Sequence, residues 1–142
     1  SEIKNHDGNI ASSNPGWYLM IVDAKVEGRD IKYDVTFNKP QVYLIGTATS
    51  GDWTENQADQ LFTVPTTKEG QFVSPAFAKN TTGDGGLRAY VKLPGTDWWK
   101  TEFMVFDKKI KYRGTGGDQE RINATAGQKL YLNFGNETGE IK

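Results

Sequence analysis

At Trp17 the chain changes character. Ser1 to Gly16, SEIKNHDGNIASSNPG, show no hydrophobic period and many turn formers, as a flexible leader or linker would. WYLMIVDAKV follows, rich in strand-forming residues. After EGRD comes IKYDVTF, where Ile31, Tyr33, Val35 and Phe37 alternate with Lys32, Asp34 and Thr36. Period-two alternation predicts a half-buried strand, and two such runs around EGRD predict a hairpin. QVYLIG, LFTV and QFVSPAFA read as further short strands, the last interrupted by Pro75 as at an edge or bulge. In LRAYVKL, Leu87, Ala89, Val91 and Leu93 share one face, and Arg88, Tyr90 and Lys92 share the other. WWKTEFMVFD, IKYRG and KLYLNF continue the series, with a last short strand at Glu140 to Lys142.

No amphipathic helical period interrupts this sequence. Short strands punctuated by Gly, Pro, Asn and Asp predict an all-β fold, an immunoglobulin-like β-sandwich, with a small closed barrel as the alternative. The expected division is a leader over 1–16 and one sandwich domain over 17–142. A chain of 142 residues is enough for one domain with a core of its own.

Charge narrows the partners. Lys plus Arg is 17, Asp plus Glu is 18, and no basic block is present, so nucleic acid is not an expected partner. Cysteine is absent and histidine occurs once, at His6, which excludes thiolate chemistry and any histidine-built metal cluster. The longest apolar run, Trp17 to Val22, is far short of the ~20 residues of a spanning helix. GTGGDQ, Gly114 to Gln119, lacks the Gly-Lys-Ser/Thr close and the following helix of a phosphate loop, and reads instead as a rigid polar rim. Carboxylates are many but fall in turns or on wet strand faces, and no serine has a well-placed base, so no catalysis and no cofactor are expected. DWTENQAD offers Asp52, Glu55, Asn56 and Asp59 as hard oxygen ligands without a calcium-loop spacing, which leaves a structural calcium open.

What remains is aromatic. GTDWWK places Trp98 and Trp99 side by side behind a Pro-Gly turn. Neighbours on a strand point to opposite faces, so one ring is expected in the core and the other outside. An outward indole is a flat apolar platform for the C–H face of a sugar, and polar groups at its edge meet the hydroxyls. Trp98, Trp99, Arg88, Tyr90 and Lys92 are the candidate ligand-binding residues. The bland alternatives are a protein contact for the outward Trp and simple cross-strand pairing for Tyr90. Trp53 is expected to close the end of the core, and Trp17 to pack structurally.

VYLIGTATSGDW, together with LRAYVK, DWWKTEF, IKYRGTGGDQERI and AGQKLYLNF, resembles the SusE/SusF family of surface starch-binding lipoproteins from Bacteroides-type starch-utilisation systems. The similarity runs from about Val42 to Lys142. The resemblance implies a non-catalytic module that binds polysaccharide, starch or a related α-glucan, against an aromatic arc. It implies a place on the extracellular face of a bacterial outer membrane, as a trimmed lipoprotein, beside proteins of a utilisation complex. The runner-up is a structural or protein-interaction domain of such a complex.

Overall fold

The computed structural model describes residues 3–6, 9–12, 14–81 and 85–142, and among them every regular element longer than three residues is a strand. Within the expected leader, β1 (Ile3–His6) pairs antiparallel with β2 (Asn9–Ser12), so that stretch is not wholly irregular. The predicted hairpin forms from β3 (Leu19–Glu27) and β4 (Asp30–Asn38), turning at Gly28 with φ +63°. That left-handed conformation costs glycine nothing and suits a two-residue hairpin loop.

Seven further strands make one antiparallel sheet, in the order β5 (Val42–Gly46), β7 (Leu87–Val91), β8 (Glu102–Phe106), β9 (Lys109–Tyr112), β11 (Thr138–Ile141), β10 (Leu130–Asn133) and β6 (Phe72–Val73). Between β8 and β9 the turn residues Asp107 and Lys108 both have positive φ, as a tight primed turn requires. Leu61 bridges to Tyr43 of β5, and Thr63 bridges to Val73 of β6, so the two edge strands meet across this short segment. The sheet therefore curls on itself around a core that includes Leu44, Phe62, Phe72, Leu87, Phe103, Leu130 and Leu132. The expected all-β class is the one found.

The hairpin β3–β4 joins no other sheet among the described residues, although a single sandwich was expected from residue 17 onward. Directly paired residues share a face, so Met20/Phe37, Val22/Val35, Ala24/Tyr33 and Val26/Ile31 form an entirely apolar face. That face is open: Tyr33 is 63% exposed and Val26 76%. Trp17 anchors the start of the hairpin to the sheet. Its ring meets Phe72 edge-on at 5.6 Å, and its Nε1–H donates to the Thr67 carbonyl at 3.0 Å. This is the structural part expected of Trp17.

Strands β5 and β7 are buried on both faces. Val42, Leu44, Leu87 and Ala89 point into the main core. Tyr43, Ile45 and Tyr90 form a second, smaller cluster on the opposite side, with Trp98 packed against it. The wet face predicted for Arg88 and Tyr90 does not exist. Arg88 is 0% exposed and Tyr90 1%. Alternation still decides which side each residue takes, but loops cover the side that was expected to meet water.

Candidate functional site

Three loops build a hollow beside this second cluster. The first is the loop after β5. Thr49 Oγ1–H donates towards the Gly46 carbonyl at 2.9 Å and the Asp52 carbonyl at 3.1 Å, and the Gly46 N–H donates to Asp52 O at 2.7 Å. These bonds fold the loop back on itself and hold Asp52 at φ +50°. Trp53 follows immediately, 38% exposed. It does not close the core as expected.

The second loop carries Trp98 and Trp99, which lie in one 3-10 turn, Trp98–Lys100, and not on a strand. Thr101 locks the turn, its Oγ1–H directed at the Val91 carbonyl (2.5 Å) and at the Trp98 carbonyl (3.2 Å). A 3-10 turn rotates successive side chains by about a third of a circle, so the opposite-face rule for strands does not apply. Trp98 is half-buried on Tyr90, with ring centroids 5.9 Å apart, and stacks against Trp53 at 6.0 Å and 26° between planes. Trp99 is 40% exposed. The expected division into one packed and one outward ring holds in part, because both rings line the same hollow.

The third loop, Arg113 to Arg121, supplies the polar rim. Arg113 places its guanidinium 5.2 Å from the centre of the Trp99 ring, and Arg121 lies 5.3 Å from that of Trp53. Cations over indole faces are attracted by the ring quadrupole, which orders both partners. Asp118 pairs with Arg121 at 3.0 Å. Trp53, Trp98, Trp99, Arg113, Asp118 and Arg121 thus enclose an open hollow of about 410 Å³. The Gly-rich stretch read as a rigid polar rim does lie at its edge.

The other sequence candidates take different places. Tyr90 supports Trp98 from beneath, and its hydroxyl donates to Asn56 Oδ1 (3.1 Å) while accepting the Asn56 N–H (2.6 Å). Burial pushes its phenol pKa up, so it stays a neutral donor. Lys92 is exposed, but lines a neighbouring groove that also includes Glu55, Asn56, Asp97 and Trp98. Arg88 lies beneath the third loop, with Nη2–H donating to the carbonyls of Gln119 and of Glu120, the latter at 2.7 Å. Burial pulls its guanidinium pKa down, and Glu102 and then Asp118 oppose that shift. Sequence reasoning left Trp53, Arg113, Asp118 and Arg121 out of the candidate site. The signal for Trp53 was a single aromatic in the polar turn-rich run TATSGDWTENQ.

The calcium reading gains no support. Asp52 pairs with Lys79 at 2.8 Å, Asp59 accepts from Ser50 at 2.6 Å, and no three His, Cys, Asp or Glu side chains gather among the described residues. Among its lining residues the hollow has one carboxylate, Asp118, whereas most glycoside hydrolases use a pair that flanks the scissile bond.

An all-β chain that gathers three indoles, two guanidiniums and one carboxylate in an open hollow presents a surface built for binding. Comparison with known proteins specifies the class further. The family model described as SusF/SusE starch specific CBMs matches residues 41–140. The chain is 44% identical over 144 aligned positions to the outer membrane protein SusF of Bacteroides thetaiotaomicron. The crystal structure of that SusF superposes with a TM-score of 0.84 over 99% of this chain. The chain spans 28% of the length of that relative and 30% of the crystallised chain. It belongs to the SusF/SusE family of non-catalytic carbohydrate-binding modules.

Proposed function

We propose that the tryptophan hollow binds a starch-type α-glucan by stacking its sugar rings on Trp53, Trp98 and Trp99. The observation that carries this reading is the convergence of indoles from two loops with Arg113, Arg121 and Asp118 from a third. Indole faces match the apolar faces of glucose, and the rim offers donors and an acceptor to the hydroxyls. The family's description as starch-specific supports the α-glucan, and the relative's name supports a place at the outer membrane. We take the architecture to be an immunoglobulin-like sandwich produced by the curled sheet, and the module to begin near residue 41. In the longer protein such a module would act on the extracellular face, beside partners that handle the same polysaccharide.

Direct contact from Arg88 and Tyr90 is replaced in this proposal by support from below. Lys92 is left to the neighbouring groove. A titration followed by tryptophan fluorescence, with soluble α-glucan and a panel of other glycans, tests the function. Quenching or enhancement by α-glucan, with affinity weakened in Trp53→Ala and Trp99→Ala, is the expected result. No response to any glycan would remove the proposal.

A further inference from the structure

The loop that supplies the rim is poorly held by its own backbone. Gly116 N–H donates to the Arg113 carbonyl at 3.0 Å, but among the described residues 117–123 make no backbone–backbone hydrogen bond. Three glycines, at 114, 116 and 117, add conformational freedom. Yet Arg113, Asp118 and Arg121 must be fixed if they are to form one side of a site, since a rim free to move loses affinity to the entropy of ordering it.

Two charged residues inside the protein meet this need. Arg88 on β7 and Glu102 on β8 are 0% and 1% exposed. Arg88 donates to the Gln119 and Glu120 carbonyls through Nη2 and to the Leu87 carbonyl through Nη1 at 3.0 Å. The same Nη2 stands 3.9 Å from Asp118 Oδ1. Its Nε faces Glu102 Oε2 at 3.6 Å, too far for a hydrogen bond and close enough for charge pairing. The other carboxylate oxygen of Glu102 accepts from Arg113 Nη1 at 2.5 Å. A buried ion pair is often no more stabilising than apolar residues of the same volume. What apolar residues cannot do is grip loop carbonyls and aim a second guanidinium.

We propose that Arg88 and Glu102 are positioning residues for glycan binding: Arg88 holds the 118–120 backbone, and Glu102 aims Arg113 across Trp99. This rests on the hollow being the glycan site. Neither residue touches the sugar. The pair converts a glycine-rich loop into a preorganised rim.

The test uses the whole chain with Glu102→Gln, which is nearly isosteric, and Arg88→Met. Maltoheptaose serves as the α-glucan probe. Glu102→Gln is expected to weaken binding about five- to tenfold in the wild-type background and less than twofold in an Arg113→Ala background. Such non-additivity marks coupling through Arg113, which a general loss of stability would not produce. In the glycan-free protein, Arg88→Met is expected to lower the backbone NMR order parameters of residues 114–121 from the rigid range of about 0.85 to below about 0.6, while those of β7 and β8 stay rigid. Equal losses with Glu102→Gln in both backgrounds would overturn the proposal. So would unchanged affinity and unchanged order parameters in both variants while Trp53→Ala and Trp99→Ala weaken binding. If wild type binds no glycan, the site reading fails, and the order parameters still decide whether Arg88 holds the loop. Should Arg88→Met not fold, the Glu102→Gln cycle carries the test alone.

Discussion

Two surfaces of this protein expose large apolar side chains, and they differ in their surroundings. The face of β3–β4 presents Met20, Val22, Val26, Ile31, Tyr33 and Val35, and its charged residues lie on the reverse side, in the pairs Asp23/Asp34, Lys25/Lys32 and Glu27/Asp30. The hollow presents Trp53 and Trp99 with two guanidiniums laid over the rings and a carboxylate paired with one of them. A sugar has apolar faces and a hydroxyl-lined edge, so only the second surface can satisfy all of it. Unpaired hydroxyls pressed against the hairpin face would lose water without replacement. Apolar exposure alone therefore does not define a glycan site. The polar rim does.

The largest effect that separates the two surfaces is loss of Trp98. Its ring touches both Trp53 and Tyr90, so Trp98→Ala removes one stacking surface and loosens another. A drop in α-glucan affinity on the order of a hundredfold is expected by titration, in the range of a binding hot spot at about 2–3 kcal/mol. Arg121→Ala comes next. It removes a rim donor and the cation over Trp53, and about a three- to tenfold loss is expected from the same titration. Gly86→Ala should act in the same direction more weakly. A Cβ at Gly86 would stand 2.9 Å from Arg121 Cδ, so the side chain must shift, and about a twofold loss is expected.

On the other surface, Val26→Thr together with Ile31→Thr is expected to leave glycan affinity within twofold of wild type. Fluorescence of an apolar dye bound to the protein should fall. A large change in affinity would break the distinction between the two surfaces.

The smallest effect concerns pH. The Ser50 hydroxyl bond holds the Asp59 carboxyl below its usual range. A lowered folded-state pKa gives stability that is present above the ordinary Asp value near ~4, and lost as pH falls through the folded value. Ser50→Ala should therefore slightly reduce thermal stability at neutral pH. The difference from wild type should narrow in strong acid to the part due to the bond that Ser50 Oγ accepts from Gln60 Nε2, as followed by Tm from pH 7 down to pH 2.

Much of the strand set was legible because alternation and turn residues are local. IKYDVTF, VYLIG and LRAYV form strands within a residue or two of the expected positions, and EFMVF is the later half of the run expected from Trp98. The site was only partly legible. Arg88 and Tyr90 alternate correctly with Leu87 and Ala89, but burial on the far face is decided by loops distant in sequence. Trp53, Trp98 and Arg121 meet through tertiary contacts that no spacing records. The Trp pair itself was misread as strand, because the turn at Pro94–Gly95 continues into a 3-10 turn held by Thr101.

The most direct measurement follows the four indole N–H resonances by NMR while α-glucan is added. Trp17 is a built-in control, since its indole N–H is committed to the Thr67 carbonyl and its ring is not among those lining the hollow. The resonances of Trp53, Trp98 and Trp99 should shift together and saturate with one affinity, while that of Trp17 stays in place. Movement of Trp17 alone, or no movement at saturating α-glucan, would contradict the assignment of the hollow as the glycan site.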